Sequence, residues 1–178
     1  MASRWIEIDC NLRLCRKVHA ILKQKNPHQL PDKIDIIAYR ENSRKCSIAR
    51  ENKRLGMKDD GSWVAHFDHP FLMTPHICIK QDFLFFPFGI PTRKKKDQGK
   101  AALYYDGNWI LIEVTVHELS HYVHIGHGKD FFKIYYKFLA QMAISVISGE
   151  FYNWYSRQHQ LTKRLTPTKE WLDSYLAW

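Results

Sequence analysis

The residues best suited to chemistry lie in one short segment, His117-Glu118-Leu119-Ser120-His121, which has the pattern HExxH. On a helix, His117 and His121 are four residues apart and lie on one face, where two imidazoles can bind one zinc ion. Glu118 projects beside them and can accept a proton from a water that zinc activates for attack on a carbonyl. The segment therefore predicts a zinc hydrolase with Glu118 as its general base.

Two further histidines follow the motif, and each is a candidate for the third zinc ligand. His127 lies beyond Gly126, a residue that readily takes the left-handed conformation that ends a helix. If the helix ends near Ile125 and the chain turns at Gly126, His127 can reach the ion from a new direction, as tetrahedral coordination requires. We assign His127 as the third ligand, with His124 as the alternative, and leave the fourth position to water, as in catalytic zinc sites.

The segment around the motif, HELSHYVHIGHGKDFF, resembles the active-site segment of the SprT-like and WLM-type zinc metalloproteases and of their small YgjP-like relatives. In those families a helical HELxH is followed by a histidine and then by an aromatic residue that begins the next helix. The resemblance covers about residues 110 to 135 and implies a zincin-like fold. It also implies bound Zn²⁺ and these roles: metal ligands His117, His121 and His127, general base Glu118, and packing by Phe131.

The spacing of the third histidine is also similar to that of the metzincins. Those proteins carry Gly where this chain has His124, and they have a Met-turn after the site. Met142 lies within an apolar helical run here, which is typical of a core residue. The SprT-like and WLM-type families are therefore the preferred resemblance.

The helix that carries the motif is expected to be buried. Residues 109 to 116 are strongly apolar and follow a turn-like segment, residues 105 to 108. A buried, rigidly held helix is suited to a preorganised metal site. Glu113, four residues before His117, is predicted either to accept a hydrogen bond from a ligand imidazole or to lie exposed on the helix.

The remaining pattern predicts an α+β fold. A helix is expected over residues 10 to 25, ending before Asn26-Pro27, and a second one follows the motif helix. Between them lie four β-like segments, Lys33–Tyr39, Cys46–Ala49, Ser62–Phe67 and His76–Lys80. An N-terminal helix, a small mixed sheet, the HExxH helix and covering helices at the C-terminal end make a minimal zincin-like metalloprotease domain.

Two segments are predicted to lie beside the substrate, one as a binding edge and one as a loop or lid. Ile77–Lys80 is the candidate for an open sheet edge on which a peptide could lie by strand addition, and a central strand is the equally weighted alternative. Residues 81 to 106 are expected to form a long loop or lid. Its first half is aromatic and expected to pack, and its lysine-rich second half is expected to be solvated.

The length of 178 residues and the hydrophobic fraction of 45% predict one domain over residues 1–178. Residues 150–178 would form a C-terminal helical extension whose last helix begins at Thr166-Pro167. An apolar run long enough for a membrane span is missing, and residues 1 to 7 lack the apolar core of a signal peptide. The expected location is intracellular, in the cytoplasm or with the nucleoid or nuclear DNA, without a membrane partner.

The four cysteines, Cys10, Cys15, Cys46 and Cys78, are scattered without any CxxC pair. This spacing argues against a structural zinc ribbon of the kind that many SprT relatives carry. The cysteines are therefore predicted to be reduced thiols, with Cys15 and Cys78 in the core.

The formal net charge of +9 makes DNA a second expected partner. The basic segments are Arg93–Lys96, Arg50–Lys58 and Lys163-Arg164, and the alternative is that these are solvated faces. The chain carries no nucleic-acid-binding motif.

Two functions from different classes follow. The first is a zinc-dependent endopeptidase acting on proteins or peptides, and the resemblance extends its substrates to DNA-associated proteins. The alternative is a basic nucleic-acid-binding protein with a structural zinc site and no proteolytic activity. The carboxylate of Glu118 favours the first, because a structural site has no need of it.

Overall fold

The computed structural model describes residues 2–39, 46–57, 64–68, 74–85 and 107–151 of the chain. These residues combine helices with a small three-stranded sheet, so the α+β class is confirmed. In chain order the elements are α1 (Ala2–Lys25), β1 (Asp35–Tyr39), α2 (Ser47–Leu55), β2 (Ala65–Asp68), β3 (His76–Lys80), α3 (Gln81–Phe85), α4 (Gly107–Val123) and α5 (Lys129–Ile147).

The strand order in the sheet is β1-β3-β2, with β1 parallel and β2 antiparallel to β3. The prediction that Ile77–Lys80 forms a sheet edge is therefore wrong, and its equally weighted alternative, a central strand, is confirmed for β3. Its residues His76 to Ile79 are all buried, as expected for a strand that is covered on both faces. Within the described sheet, β2 takes an edge position.

The two faces of the sheet pack against different helices. On one face, Ile36, Ile77 and Ile79 join the main core together with residues of α1, α4 and α5. On the other face, Tyr39 and Cys78 pack against the start of α2 in a second, smaller core. The sheet thus lies between a thick helical layer and one short helix.

The β-like segment predicted at Cys46–Ala49 is wrong, because these residues begin helix α2. Cys46 is the N-cap, and its Sγ accepts a hydrogen bond from the Ala49 backbone N–H at 3.5 Å. Gly56 ends the helix in the left-handed conformation, with φ 64°. A four-residue segment fits either structure, and the left-handed glycine at Gly56 gives the helix a favourable end.

The long helices agree with the sequence prediction. Helix α1 begins earlier than residue 10, at Ala2, and ends at Lys25 as expected. The Asn26 side chain then ties the end of α1 to α5, donating to the Leu22 carbonyl at 2.9 Å and to Gln141 Oε1 at 2.7 Å. The motif helix α4 is buried as predicted, and three predicted core residues are confirmed as buried: Cys15, Cys78 and Met142.

The start of the predicted loop over residues 81 to 106 is helical instead. Helix α3 continues directly from β3 and buries Phe83 and Leu84, so the expected packing of the aromatic half holds for these two residues. The Asn11 side chain donates to the Leu84 carbonyl at 2.5 Å and joins α3 to α1. Residues 86–106 and 152–178, with their predicted lid, lysine run and last helix, lie outside the described residues.

None of the helices in the described part of the chain has both the length and the apolar character of a membrane span.

Candidate metal centre

Three imidazoles converge at the end of helix α4. His117 and His121 lie on that helix, and His127 lies in the loop that leads to α5. Their Nε2 atoms are 3.2 Å apart for His117 and His121, and 3.1 Å apart for each pair that includes His127. A tetrahedral zinc ion with Zn–N bonds of about 2.0–2.1 Å places its nitrogen ligands roughly 3.3 Å apart. The spacing therefore fits one ion bound by all three.

Hydrogen bonding among the imidazoles cannot account for this arrangement. A neutral imidazole nitrogen is either a donor or an acceptor, so in a triangle of three Nε2 atoms at least one pair has matching roles. Two lone pairs or two protons would then face each other at 3.1–3.2 Å. A cation at the centre removes the conflict, because all three nitrogens can present lone pairs to it.

The backbone orients one of the three rings. Nδ1 of His121 lies 3.3 Å from the His124 carbonyl oxygen, which can only accept, so Nδ1 carries the proton. Nε2 of His121 is then the unprotonated nitrogen and faces the other two rings. Such a hydrogen bond from the far ring nitrogen is the usual support of a metal-binding histidine.

The protonation states of the rings favour the same role. Burial, followed by repulsion from His121 and His127, lowers the pKa of His117 to about 4. Burial also lowers the pKa of His121. Both rings are thus neutral at physiological pH and available as ligands without first losing a proton.

Phe131 packs against all three imidazoles, as the resemblance implies. Its ring centroid lies 5.0 Å from that of His117, 4.5 Å from that of His121 and 4.8 Å from that of His127. The side chain is fully buried in the first turns of α5. One turn later, Tyr135 lies parallel to Phe131 with its ring 5.9 Å from His117, a neighbour that the sequence pattern did not indicate.

The turn between α4 and α5 differs from the prediction in two details. Helix α4 ends at Val123, before Ile125, and among the described glycines only Gly56 and Gly149 have positive φ. The left-handed turn expected at Gly126 is therefore wrong. Residues 124 to 128 provide enough length between the two helices to bring His127 to the site through ordinary backbone conformations.

His124, the alternative ligand, is placed differently. Its Nδ1 lies 3.2 Å from the carbonyl oxygen of Gly126, to which it can donate a hydrogen bond. Its backbone N–H continues the helical pattern by donating to Ser120. Among the described residues, the group of converging imidazoles contains His127, and His124 is not part of it.

Glu118 is buried between α4 and the edge strand β2, with 6% of its surface exposed. Burial raises its pKa to about 7, while attraction to His66 and a hydrogen bond from the Phe67 backbone oppose the rise. A carboxyl group with a pKa near neutrality can both accept and return a proton at pH 7. Glu118 is therefore a candidate general base that directly follows the candidate ligand His117 on α4.

Glu113 has neither of its predicted roles. Its Oε1 accepts a hydrogen bond from Trp109 Nε1 at 3.0 Å, and the side chain is half-buried. Burial raises its pKa, and the hydrogen bond from the indole partly offsets this. Glu113 therefore helps to hold the first turns of α4.

Sequence reasoning missed a second group of ligand atoms on the far face of the sheet. Cys46 Sγ, His66 Nε2 and Cys78 Sγ all lie within 4.8 Å of one another. The three described cysteines, Cys15, Cys46 and Cys78, are free thiols as predicted. The spacing of Cys46 and Cys78 gave no signal, because they come together only through the packing of the start of α2 against the sheet, and His66 joins them only through its pairing with Cys78.

Comparisons of the chain with protein-family models, with curated proteins and with solved structures find no match. The resemblance to the SprT-like and WLM-type metalloproteases is carried by the motif residues and stays a prediction, as does the division into a single domain.

Proposed function

We propose that the protein is a zinc-dependent endopeptidase with Glu118 as its general base. The observation that carries the proposal is the convergence of three Nε2 atoms, 3.1–3.2 Å apart, with the buried Glu118 next to His117 in the sequence of the same helix. Three histidines with a fourth position left for water are a typical ligand set of catalytic zinc.

Each residue of the site would have a separate role in the reaction. His117, His121 and His127 hold the ion, and Phe131 fixes the planes of their rings. When bound, zinc supplies a Lewis acid that polarises the scissile carbonyl and acidifies water. Glu118 would accept the proton of the attacking water and pass it to the leaving amine.

The edge strand β2 is the best candidate for substrate binding. A backbone N–H of this strand, that of Phe67, is directed to the Glu118 carboxyl group, so the edge adjoins the proposed base. A peptide that adds to such an edge is held mainly by backbone hydrogen bonds, which do not depend on its sequence. We therefore assign to β2 the role that the sequence pattern had suggested for β3.

The decisive experiment compares Glu118→Gln with His121→Ala. The glutamine variant should keep the metal content of the wild type and lose cleavage of an unfolded protein such as reduced casein, because the amide cannot accept the proton. The alanine variant should lose cleavage together with the one metal ion that the three histidines would bind. Metal content is measured by elemental analysis, and cleavage is measured by peptide mass spectrometry.

Equal cleavage by Glu118→Gln and the wild type would overturn the proposal. If zinc binds and no protein is cleaved, while DNA binds in a salt-sensitive manner, the alternative of a basic nucleic-acid-binding protein with a structural zinc site takes its place.

A further inference from the structure

The far face of the sheet brings three potential metal ligands together from three separate elements. Cys46 is the N-cap of α2, His66 lies on β2 and Cys78 lies on β3, directly opposite His66 in the strand register. Both cysteines are 0% exposed. The ligand atoms lie within 4.8 Å of one another, and Cys46 Sγ is 3.6 Å from His66 Nε2.

We propose that Cys46, His66 and Cys78 bind a second metal ion, and that this ion is Zn²⁺. Two sulfur ligands and one imidazole suit zinc and other thiolate-preferring ions, and they do not suit Mg²⁺ or Ca²⁺. With Zn–S bonds of about 2.3 Å and Zn–N bonds of about 2.0–2.1 Å, tetrahedral geometry separates sulfur from nitrogen by roughly 3.6 Å. The distance between Cys46 Sγ and His66 Nε2 matches this value.

The surroundings of the three ligands support a bound cation. The backbone N–H of Ala49 donates to Cys46 Sγ at 3.5 Å, an interaction that stabilises a thiolate ligand. Asp68, beyond His66 on β2, accepts from the Ser47 backbone N–H at 2.9 Å and lies 3.3 Å from His76 Nε2. These contacts hold the start of α2 and the strand β2 in fixed positions around the site.

The small core on this face gives the ion a structural role. Among the described residues, its buried members are Tyr39, Cys46, Ala49 and Cys78. Helix α2 has only nine residues, and Ala49 is its one buried residue. A helix of this length is marginal without tertiary support, so a metal bound through its N-cap would add to the apolar contacts that α2 makes with the described residues.

The second site is also connected to the candidate metal centre through β2. His66 faces Cys78 on the far side of the sheet, while the next residue, Phe67, bonds through its backbone to Glu118. The Phe67 ring packs edge-on against Tyr122 of α4, with centroids 5.9 Å apart. A metal at Cys46, His66 and Cys78 therefore fixes the strand that supports Glu118. Metal binding at Cys46, His66 and Cys78 does not depend on the proposal that the protein is a peptidase.

Cobalt substitution distinguishes the two sites. A sulfur ligand gives Co²⁺ an intense near-ultraviolet charge-transfer absorption, whereas a site of three histidines gives none. The full chain, kept reduced and freed of metal, is titrated with Co²⁺. The wild type should bind two ions per chain and show the sulfur band. His121→Ala should lose one ion and keep the band.

Cys78→Ser should lose the sulfur band and one ion while keeping the other. The matched control is Cys15→Ser, which removes a buried thiol on the opposite side of the sheet and should leave the band unchanged. Far-ultraviolet circular dichroism checks the fold of each variant. If Cys78→Ser does not fold, His66→Ala replaces it and should weaken Co²⁺ binding at the sulfur site at least tenfold.

Two results would overturn the proposal. One is the absence of a sulfur band when the reduced wild type is saturated with Co²⁺. The other is a disulfide between Cys46 and Cys78 in the protein as isolated without reductant, detected by peptide mass spectrometry, because these sulfurs would then be unavailable as ligands.

Discussion

His124 and His127 are three residues apart and have different surroundings, which allows a direct test of the third ligand. His127→Ala should reduce zinc affinity by at least about 100-fold, because it removes one of three converging Nε2 atoms. His124→Ala should change the affinity less than about tenfold. Its contribution to His121 comes from the backbone carbonyl, which alanine retains. Competition with a fluorescent chelator, in a Cys78→Ser background that removes the proposed sulfur site, measures both affinities, and equal losses would contradict the assignment.

Glu118 should make the stability of the metal-free protein depend on pH. Its pKa is about 7 in the folded chain and about 4.5 in the usual reference state, so the folded state binds the proton more tightly. The resulting stabilisation is fully present below pH 4.5 and is lost as the pH rises through 7, by about 3 kcal/mol.

Glu118→Gln removes this titration, so we expect the variant to become more stable relative to the wild type between pH 5 and pH 8. Urea unfolding of the metal-free proteins at several pH values measures the difference. A constant difference across this range would show that the buried carboxyl group does not titrate as expected.

At the residue scale, the three-histidine group could be predicted from the sequence because its members lie close together in the chain. The HExxH spacing alone predicts that His117 and His121 share a helical face, and the structure places their Nε2 atoms 3.2 Å apart. The group of Cys46, His66 and Cys78 could not be predicted in this way, because Cys46 and Cys78 are 32 positions apart in the sequence. Only strand pairing and the packing of α2 against the sheet bring such residues together, and both depend on tertiary structure.

At the scale of elements, Gly56 at the end of α2 and Gly126 in the loop after α4 can be compared directly. Gly56 ends α2 with φ +64°, a conformation that L-residues adopt at a cost, whereas Gly126 has no positive φ. An added Cβ would meet nothing within 4 Å at either position, so crowding does not distinguish them.

Gly56→Ala should therefore reduce the free energy of unfolding by about 1 kcal/mol, and Gly126→Ala should change it by less than about 0.5 kcal/mol. Chemical denaturation of the metal-saturated protein measures both values. A larger loss at Gly126 would mean that the loop before His127 needs glycine for a reason other than backbone conformation.

Long elements were predicted better than short ones. Helices α1, α4 and α5 have 17 to 24 residues, and apolar patterns of that length have one clear interpretation. The segment at Cys46–Ala49 failed because four residues fit a strand or a helix equally well. The sequence pattern also left the edge and central positions of β3 equally weighted, since burial on both faces of a strand depends on its neighbours in the sheet.

At the scale of the whole molecule, the formal net charge of +9 leads to an expectation about DNA. Part of the basic surface on α2 is already paired, since Arg54 forms an ion pair with Glu51 and Arg50 lies 3.9 Å from Asp68. We expect weak binding that is independent of DNA sequence and falls at least tenfold between 50 and 200 mM salt. Fluorescence anisotropy with single- and double-stranded oligonucleotides measures it. No binding at low salt would exclude DNA as a partner.

The two groups of ligand atoms close loops of very different length. His117 and His127 are ten positions apart and belong to one helical hairpin, α4 with α5, whose Phe131 supports all the rings. Contacts so close in sequence cost little chain entropy, so this hairpin can form early in folding. The Cys46, His66 and Cys78 group needs β2, β3 and α2 in register and can form only later. The two sites would therefore acquire metal at different stages of folding.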